Sequence, residues 1–205
     1  PLTPGTQAIQ LAGKNPVTTF EFDRANTRLL IGSAGVFGVL DGGIEYVDPV
    51  YMTSLGYAVT EAALGGDLGD IAWNGEDHSS AIVTDAEFNT LLVSWSAITG
   101  QNLGTVFAPG GFTLTDCELN DRGELSVCRH DLFAPGLYVF DVPEDTPLAG
   151  PLDCGLPPVQ VTFDAPSEQQ LSVWPTSEGT SLSSPWPNPA RGALYVRLAL
   201  ASAGA

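Results

Sequence analysis

Lysine occurs once in this 205-residue chain, at Lys14, and lysine plus arginine number 7 against 24 aspartates and glutamates. The formal net charge is −17. Such a chain has no basic face to neutralise phosphates, which excludes a nucleic-acid binder. It also has nothing to hold it on an anionic membrane surface. Histidine is nearly as scarce, with His78 and His130 alone. No His-x-His, His-Glu-x-x-His or Cys-x-x-Cys occurs, so zinc has no ligand motif. No Gly-x-Ser-x-Gly elbow offers a nucleophile. No apolar run approaches the roughly 18 residues of a membrane span. The opening "PLTPGTQAIQ" lacks a Met and a signal-peptide pattern, and reads as the middle of a longer chain.

What is present is glycine (23) and proline (16), with 43% hydrophobic and only 15% charged residues. Glycine and proline break helices, so many short strands joined by turns are expected. The strands repeat. "FEFD", "IAWN", "CELN" and "VTFD" share the pattern apolar-x-apolar-Asx and close on Asp23, Asn74, Asn120 and Asp164, at spacings of 51, 46 and 44 residues. Alternation reads as strand and the closing Asx as turn. Second strands follow as "RLLIGSA", "SSAIVTD" and "ELSVCRH", and third strands as "GIEYVDP", "TLLVSWS" and "GLYVFDV". A polar turn and a glycine, at Gly56, Gly104 and Gly150, then open a fourth. Four strands in about 45 residues is the period of a β-propeller blade, a sheet with two apolar faces that only stacking can bury.

The fold expected is therefore all-β, a partial propeller of about three four-stranded blades plus fragments. A β-sandwich is the alternative. Three units do not close a ring of the usual four to eight blades, so residues 1–174 read as the C-terminal part of a larger propeller. "TQAIQLAG" would be the outer strand of a preceding blade. The stretch "TLLVSWSAITGQNLGTVFAPGGFTLTDCELNDRGELSV" resembles the repeat of YVTN-type, lactonase-like bacterial β-propellers, and the likeness runs over roughly residues 17–174.

From Pro175 to Pro187 serine, threonine, glycine and proline dominate, as in an exposed linker. Residues 188–205 then alternate as a first strand, with Leu194, Val196, Leu198 and Leu200 on one face. "PWPNPARGALYVRLALASAGA" resembles the opening of the Ig-like C-terminal sorting module of proteins exported by type IX secretion in the Bacteroidetes and neighbouring phyla. Pro187, Asn188 and Pro189 match its core and Gly192 its turn. The resemblance implies handling by a secretion machinery and an extracellular or outer-membrane-surface location.

Few groups suggest chemistry. Asp67, Asp70, Glu76 and Asp77 in "GGDLGDIAWNGEDHSS" supply hard oxygen ligands in a glycine-rich stretch, which makes calcium the one candidate ion. Of three cysteines, Cys117 and Cys128 flank one hairpin. A two-residue turn at Arg122-Gly123 puts them opposite each other, as a disulfide requires. A turn with a glycine bulge at Gly123 shifts the register and turns them to opposite faces. Trp73, Trp95, Phe112 and Tyr138 fall on expected strands, where blade packing rather than a sugar platform is the expectation. Three functions remain: a secreted or surface-bound non-enzymatic scaffold for other surface or extracellular proteins, a glycan- or ligand-binding propeller, and a lactonase-like hydrolase with a metal at the axis. The first is favoured, because no catalytic group stands out.

Overall fold

In a computed structural model of the chain, residues 9–23 and 27–163 are described. The first strand of each unit starts where apolar alternation starts and stops at the Asx turn. Unit one is β1 (Pro16–Phe22), β2 (Leu29–Ser33), β3 (Gly43–Asp48) and β4 (Thr53–Thr60). Unit two, after a single helical turn α1 (Glu61–Leu64), is β5 (Asp67–Ala72), β6 (Ser79–Thr84), β7 (Thr90–Ser96) and β8 (Gln101–Phe107). Unit three is β9 (Leu114–Leu119), β10 (Glu124–Arg129), β11 (Gly136–Asp141) and β12 (Thr146–Leu152). Each unit is its own four-stranded antiparallel sheet with strands in chain order. Three separate meanders in sequence are propeller blades, and they displace the β-sandwich alternative, whose Greek-key connections would bring distant strands together.

Turn chemistry explains the boundaries. Asp23 Oδ1 accepts from the Thr27 and Arg28 amides at 2.6 and 3.1 Å, and Asn120 Oδ1 from the Arg122 and Glu124 amides at 2.9 and 3.0 Å. Gly123 takes φ +82°, a left-handed value that side chains resist, and forms the bulge of the β9–β10 hairpin. Two expected pieces do not form. Among the described residues of "TQAIQLAG" there is no strand; the Ala12 and Gly13 amides instead donate to Glu45 at 3.0 and 3.1 Å. The described part of "GLPPVQVTFD" is likewise not paired as a strand. The linker 175–187, the strand 188–205 and the motif Pro187, Asn188, Pro189 and Gly192 lie outside the described residues.

The blades bury each other's faces. Leu30 and Ile44 of the first blade pack against Ile71, Ala81, Val83 and Trp95 of the second. The opposite face of the second blade, with Ala72, Ile82 and Leu92, packs against Leu114, Leu125, Val127 and Phe140 of the third. This is why β6 is buried at every position, while β12 lies at the rim and is exposed along most of its length. Aromatic rings fill the first joint: Tyr46 meets Trp73 edge-on at 6.0 Å, and Trp73 meets Trp95 at 5.9 Å. Trp73, Trp95 and Tyr138 are thus packing residues, as the strand pattern implied. Phe112 is not; it sits outside the strands, 67% exposed.

In a meander, connections alternate between the two ends of the sheet. The second-to-third-strand loops (34–42, 85–89 and 130–135) share one end, here called upper, with the interblade connectors 61–66 and 108–113. Polar clasps lock both ends. At the upper end the fully buried Glu61 accepts from the Gly42 amide of blade one and the Leu68 amide of blade two, both at 2.7 Å. At the lower end Arg28 pairs with Asp23 and with Glu76 of the next blade, while its guanidinium lies 4.3 Å from the Tyr46 ring centre. His78 reaches Asp145 of the third blade at 2.9 Å.

Trp95, 1% exposed at the first joint, sets a test of this packing. Trp95→Ala should lower the unfolding free energy by about 3–5 kcal/mol, read as a lower urea midpoint at unchanged slope. Leu132→Ala, at a side chain 86% exposed, should change it by no more than about 0.5 kcal/mol. Equal losses for the two would contradict the interblade core.

Candidate functional site

The residues proposed for calcium are not brought together. Asp67 opens β5 at the upper end, where its Oδ1 accepts from the Gly38 amide at 2.8 Å. Asp70 lies further along β5, with its Oδ2 taken by the Cys117 amide at 2.7 Å. Glu76 and Asp77 lie beyond the end of β5, at the lower end, where Glu76 is engaged by Arg28. An extended strand spreads its residues by about 3.3 Å each, so one calcium cannot collect all four. Among the described residues, no group of three or more His, Cys, Asp or Glu is arranged to hold a metal ion.

The disulfide expectation is corrected by register. Cys117 pairs with Val127, and Cys128 pairs with Asp116. The two cysteines therefore face opposite sides of the blade, and both are buried free thiols, as the bulge at Gly123 requires. Burial and the neighbouring carboxylates Asp70 and Asp116 push the Cys117 thiol well up, and burial pushes Cys128 up to about 12. Neither is a nucleophile in this state.

A carboxylate cluster does form at the inner strands, from Asp70 of the calcium set and three residues the sequence reading passed over. Of the recurring Asx residues, Asp23 and Asn120 are spent on their own turns. Residues two and four places earlier supply the cluster: Glu21 on β1, Asp70 on β5, and Asp116 and Glu118 on β9. These strands lie side by side at the inner edge of the three blades. Asp116 Oδ2 accepts from the Val161 amide at 2.7 Å, repeating one blade later what Asp70 does to Cys117. Burial, with Asp70 and Glu118 nearby, raises Asp116 to about 7, and its carboxyl shares a hydrogen bond with that of Asp70. Burial and the charges of Glu118 and Asp70 raise Glu21 to about 7 as well. Glu118 is raised by the same two influences, burial first and then Asp70.

The upper end carries a different chemistry. Each second-to-third-strand loop is clamped by an aspartate and raises a phenylalanine. Asp41 Oδ1 takes the Val36 amide at 2.6 Å, Asp85 Oδ1 the Glu87 and Asn89 amides at 2.9 and 2.8 Å, and Asp131 Oδ1 the Phe133 and Ala134 amides at 2.7 and 2.5 Å. The rings so presented are Phe37, Phe88 and Phe133, exposed by 55%, 61% and 96%. Phe37 and Phe88 meet across two blades with ring centres 5.4 Å apart. Beside them a crevice of about 470 Å³ opens between blades one and two, bounded by Val36, Phe37, Leu68 and Phe112. No sequence pattern distinguished these phenylalanines from core residues: Phe37 precedes its loop aspartate by four residues, whereas Phe88 and Phe133 follow theirs by three and two.

No family model and no curated protein matches this sequence. Among solved structures the chain is similar to U3-55K, with 12% identity over 63% of this chain and 37% of that one, at a TM-score of 0.44. It is also similar to the β-propeller domain of Cps50 (Swd1) from Myceliophteria thermophila, with 16% identity over 68% of this chain and 39% of that one, at a TM-score of 0.41. The chain thus spans about two fifths of the length of the structures it matches. Similarity at this level carries no argument about function, and the propeller assignment stands on the three meanders themselves.

The inner cluster makes stability depend on pH with a definite sign. Glu21 and Asp116 each titrate near 7 in the folded state but near the ordinary carboxylate values of 4.5 and 3.8 when unfolded. Between those limits the folded state holds more protons, so its stability falls as pH rises and levels off above the folded values. The melting temperature should therefore drop between about pH 5 and pH 7.5. The double variant Glu21→Gln/Asp116→Asn should flatten that slope. A melting temperature that rises over this interval, or a slope untouched by the double variant, would contradict the cluster.

Proposed function

We propose that this protein is an exported, non-enzymatic scaffold that binds other surface or extracellular proteins through the upper ends of its blades. One observation carries the reading: three successive blades raise Phe37, Phe88 and Phe133 at the same end, each on a loop clamped by an aspartate. Apolar rings on fixed loops are costly to leave in water and suit a protein interface, where aromatic residues supply much of the binding energy. Four carboxylates, by contrast, are spent on backbone amides: Glu45 on Ala12 and Gly13, Glu61 on Gly42 and Leu68, Asp70 on Cys117, Asp116 on Val161. That use is structural, and it favours the scaffold over the hydrolase. Export rests on the Pro187-Asn188-Pro189 and Gly192 stretch alone. Among the described residues no helix is long and apolar enough to cross a membrane.

Lysine-directed cross-linking is unsuited to a chain with one lysine, so the test uses a photoreactive residue. It is placed in the full chain at Phe133, 96% exposed at the upper end, or at Ile98, 68% exposed in the third-to-fourth-strand turn at the lower end. The protein is produced in its source cells and irradiated on intact cells. Cross-links to other proteins from position 133, absent from position 98 and removed by external protease, are expected. Cross-links of equal yield from both ends, or none before cell lysis, would contradict the reading.

A further inference from the structure

We infer that the crevice between the first and second blades receives an extended protein segment bearing an apolar anchor flanked by lysine or arginine. This deepens the scaffold reading and rests on it. The apolar part of the lining is Val36, Phe37, Leu68 and Phe112, beside the polar Asn15, Asp67 and Thr84, with Phe37 braced on Phe88. The floor is backbone. In the β5–β6 pairing Leu68 faces Val83 and Asp70 faces Ile82, so Gly69 is the extra residue of a bulge, outside the ladder, exposed, and part of the crevice lining. A bulge leaves main-chain groups unpaired. A passing chain can hydrogen-bond to such groups while its side chains enter the pocket, which is how extended segments add to sheet structure.

The walls are also built to stay in place. The Gly38 amide donates to Asp67, the Val36 amide to Asp41, and the Gly35 amide to the Lys14 carbonyl at 2.9 Å. The Gly111 amide donates to the Asn89 side chain at 2.8 Å and the Thr113 amide to the Thr90 hydroxyl at 2.9 Å, which holds the Phe112 connector. A preformed crevice avoids the ordering cost that a floppy loop would incur on binding.

Charge selects the occupant. The loops around the crevice carry Asp41, Asp67, Asp85 and Glu87 against one cation, Lys14, and the whole chain stands at −17. An acidic segment would be repelled at every approach, whereas a segment with lysine or arginine on either side of its anchor is drawn in. An anionic vesicle is disfavoured by the same field.

Two substitutions separate the site from the fold. Phe112→Ser removes an exposed wall. Gly69→Ala adds a methyl to the floor, and it is tolerable because a Cβ there comes no closer than 3.4 Å to a neighbouring atom, the Ile82 carbonyl oxygen. The probe is obtained by selecting a phage-displayed random dodecapeptide library on the full chain. The most enriched peptide is then labelled and its affinity measured by fluorescence anisotropy. The expected peptide has an apolar anchor with flanking lysine or arginine, binds more weakly as salt rises, and loses affinity about tenfold or more in each variant, with melting temperatures unchanged. Enriched peptides that are acidic, or that bind both variants as tightly as the parent, would overturn the inference. So would a library that yields no binder. In those cases the upper-end cross-links from position 133 still report on the scaffold reading by themselves, so the two failures are distinguishable.

Discussion

An aspartate on one inner strand accepts a hydrogen bond from the backbone of the next, and the arrangement of the blades depends on it. Asp70 holds the Cys117 amide and Asp116 holds the Val161 amide, each at 2.7 Å. A hydrogen bond to a carboxylate contributes about 1.5–3 kcal/mol, and leaving the buried amide unpaired costs a similar amount. The bond is directional, unlike the apolar contacts of Trp95, Ile82 or Phe140 around it. Packing makes the blades adhere, while the aspartates fix the height at which one inner strand passes the next. Through Val161 the third blade already engages the segment that follows it, although that segment forms no paired strand in the described residues.

The acidity of the chain follows from the same habit on a larger scale. Asp23, Asp41, Asp48, Asp85 and Asp131 each accept amides of their own turn, and Glu45, Glu61 and Asp67 join segments distant in sequence. A four-stranded blade has a turn every few residues, and aspartate is suited to closing turns through its own side chain. Burial alone would raise the Asp23 carboxyl, but hydrogen bonds from Thr27 and Arg28 bring it down to about 2. The inner cluster is the exception, where burial and like charge hold Glu21 and Asp116 near 7, in Asp116 despite the hydrogen bond from the Val161 amide. Much of the negative charge is thus local architecture, and at the upper end it surrounds an open apolar crevice.

Strand positions and blade period were legible because they rest on alternation and on Asx turns, which are local. The offset of Cys117 from Cys128 was half legible: the hairpin admitted two registers, and Gly123 decided between them through its positive φ. The inner carboxylates were hidden because their meaning lies between blades. Asp116 reads as an ordinary polar position of an amphipathic strand, and Asp70 as a member of an acidic loop, until adjacent strands are set side by side. The calcium set failed for the converse reason, since Asp67, Asp70, Glu76 and Asp77 are close in sequence but spread along a strand and past its end. Phe112 was read as strand, yet the Gly110-Gly111 pair before it, at φ +83° and +68°, breaks the strand and turns the ring outward.

An interaction scaffold needs loops that keep their shape, and the upper loops inherit theirs from blades locked at the axis. If the inner bonds fail, the crevice between blades one and two loses its walls. The most direct test is amide hydrogen exchange, residue by residue, at Cys117 and Val161. The account predicts strong protection at both, lost at Cys117 alone in Asp70→Ala and at Val161 alone in Asp116→Ala. Exchange at unprotected rates in the parent protein, or protection unchanged in the variants, would contradict it.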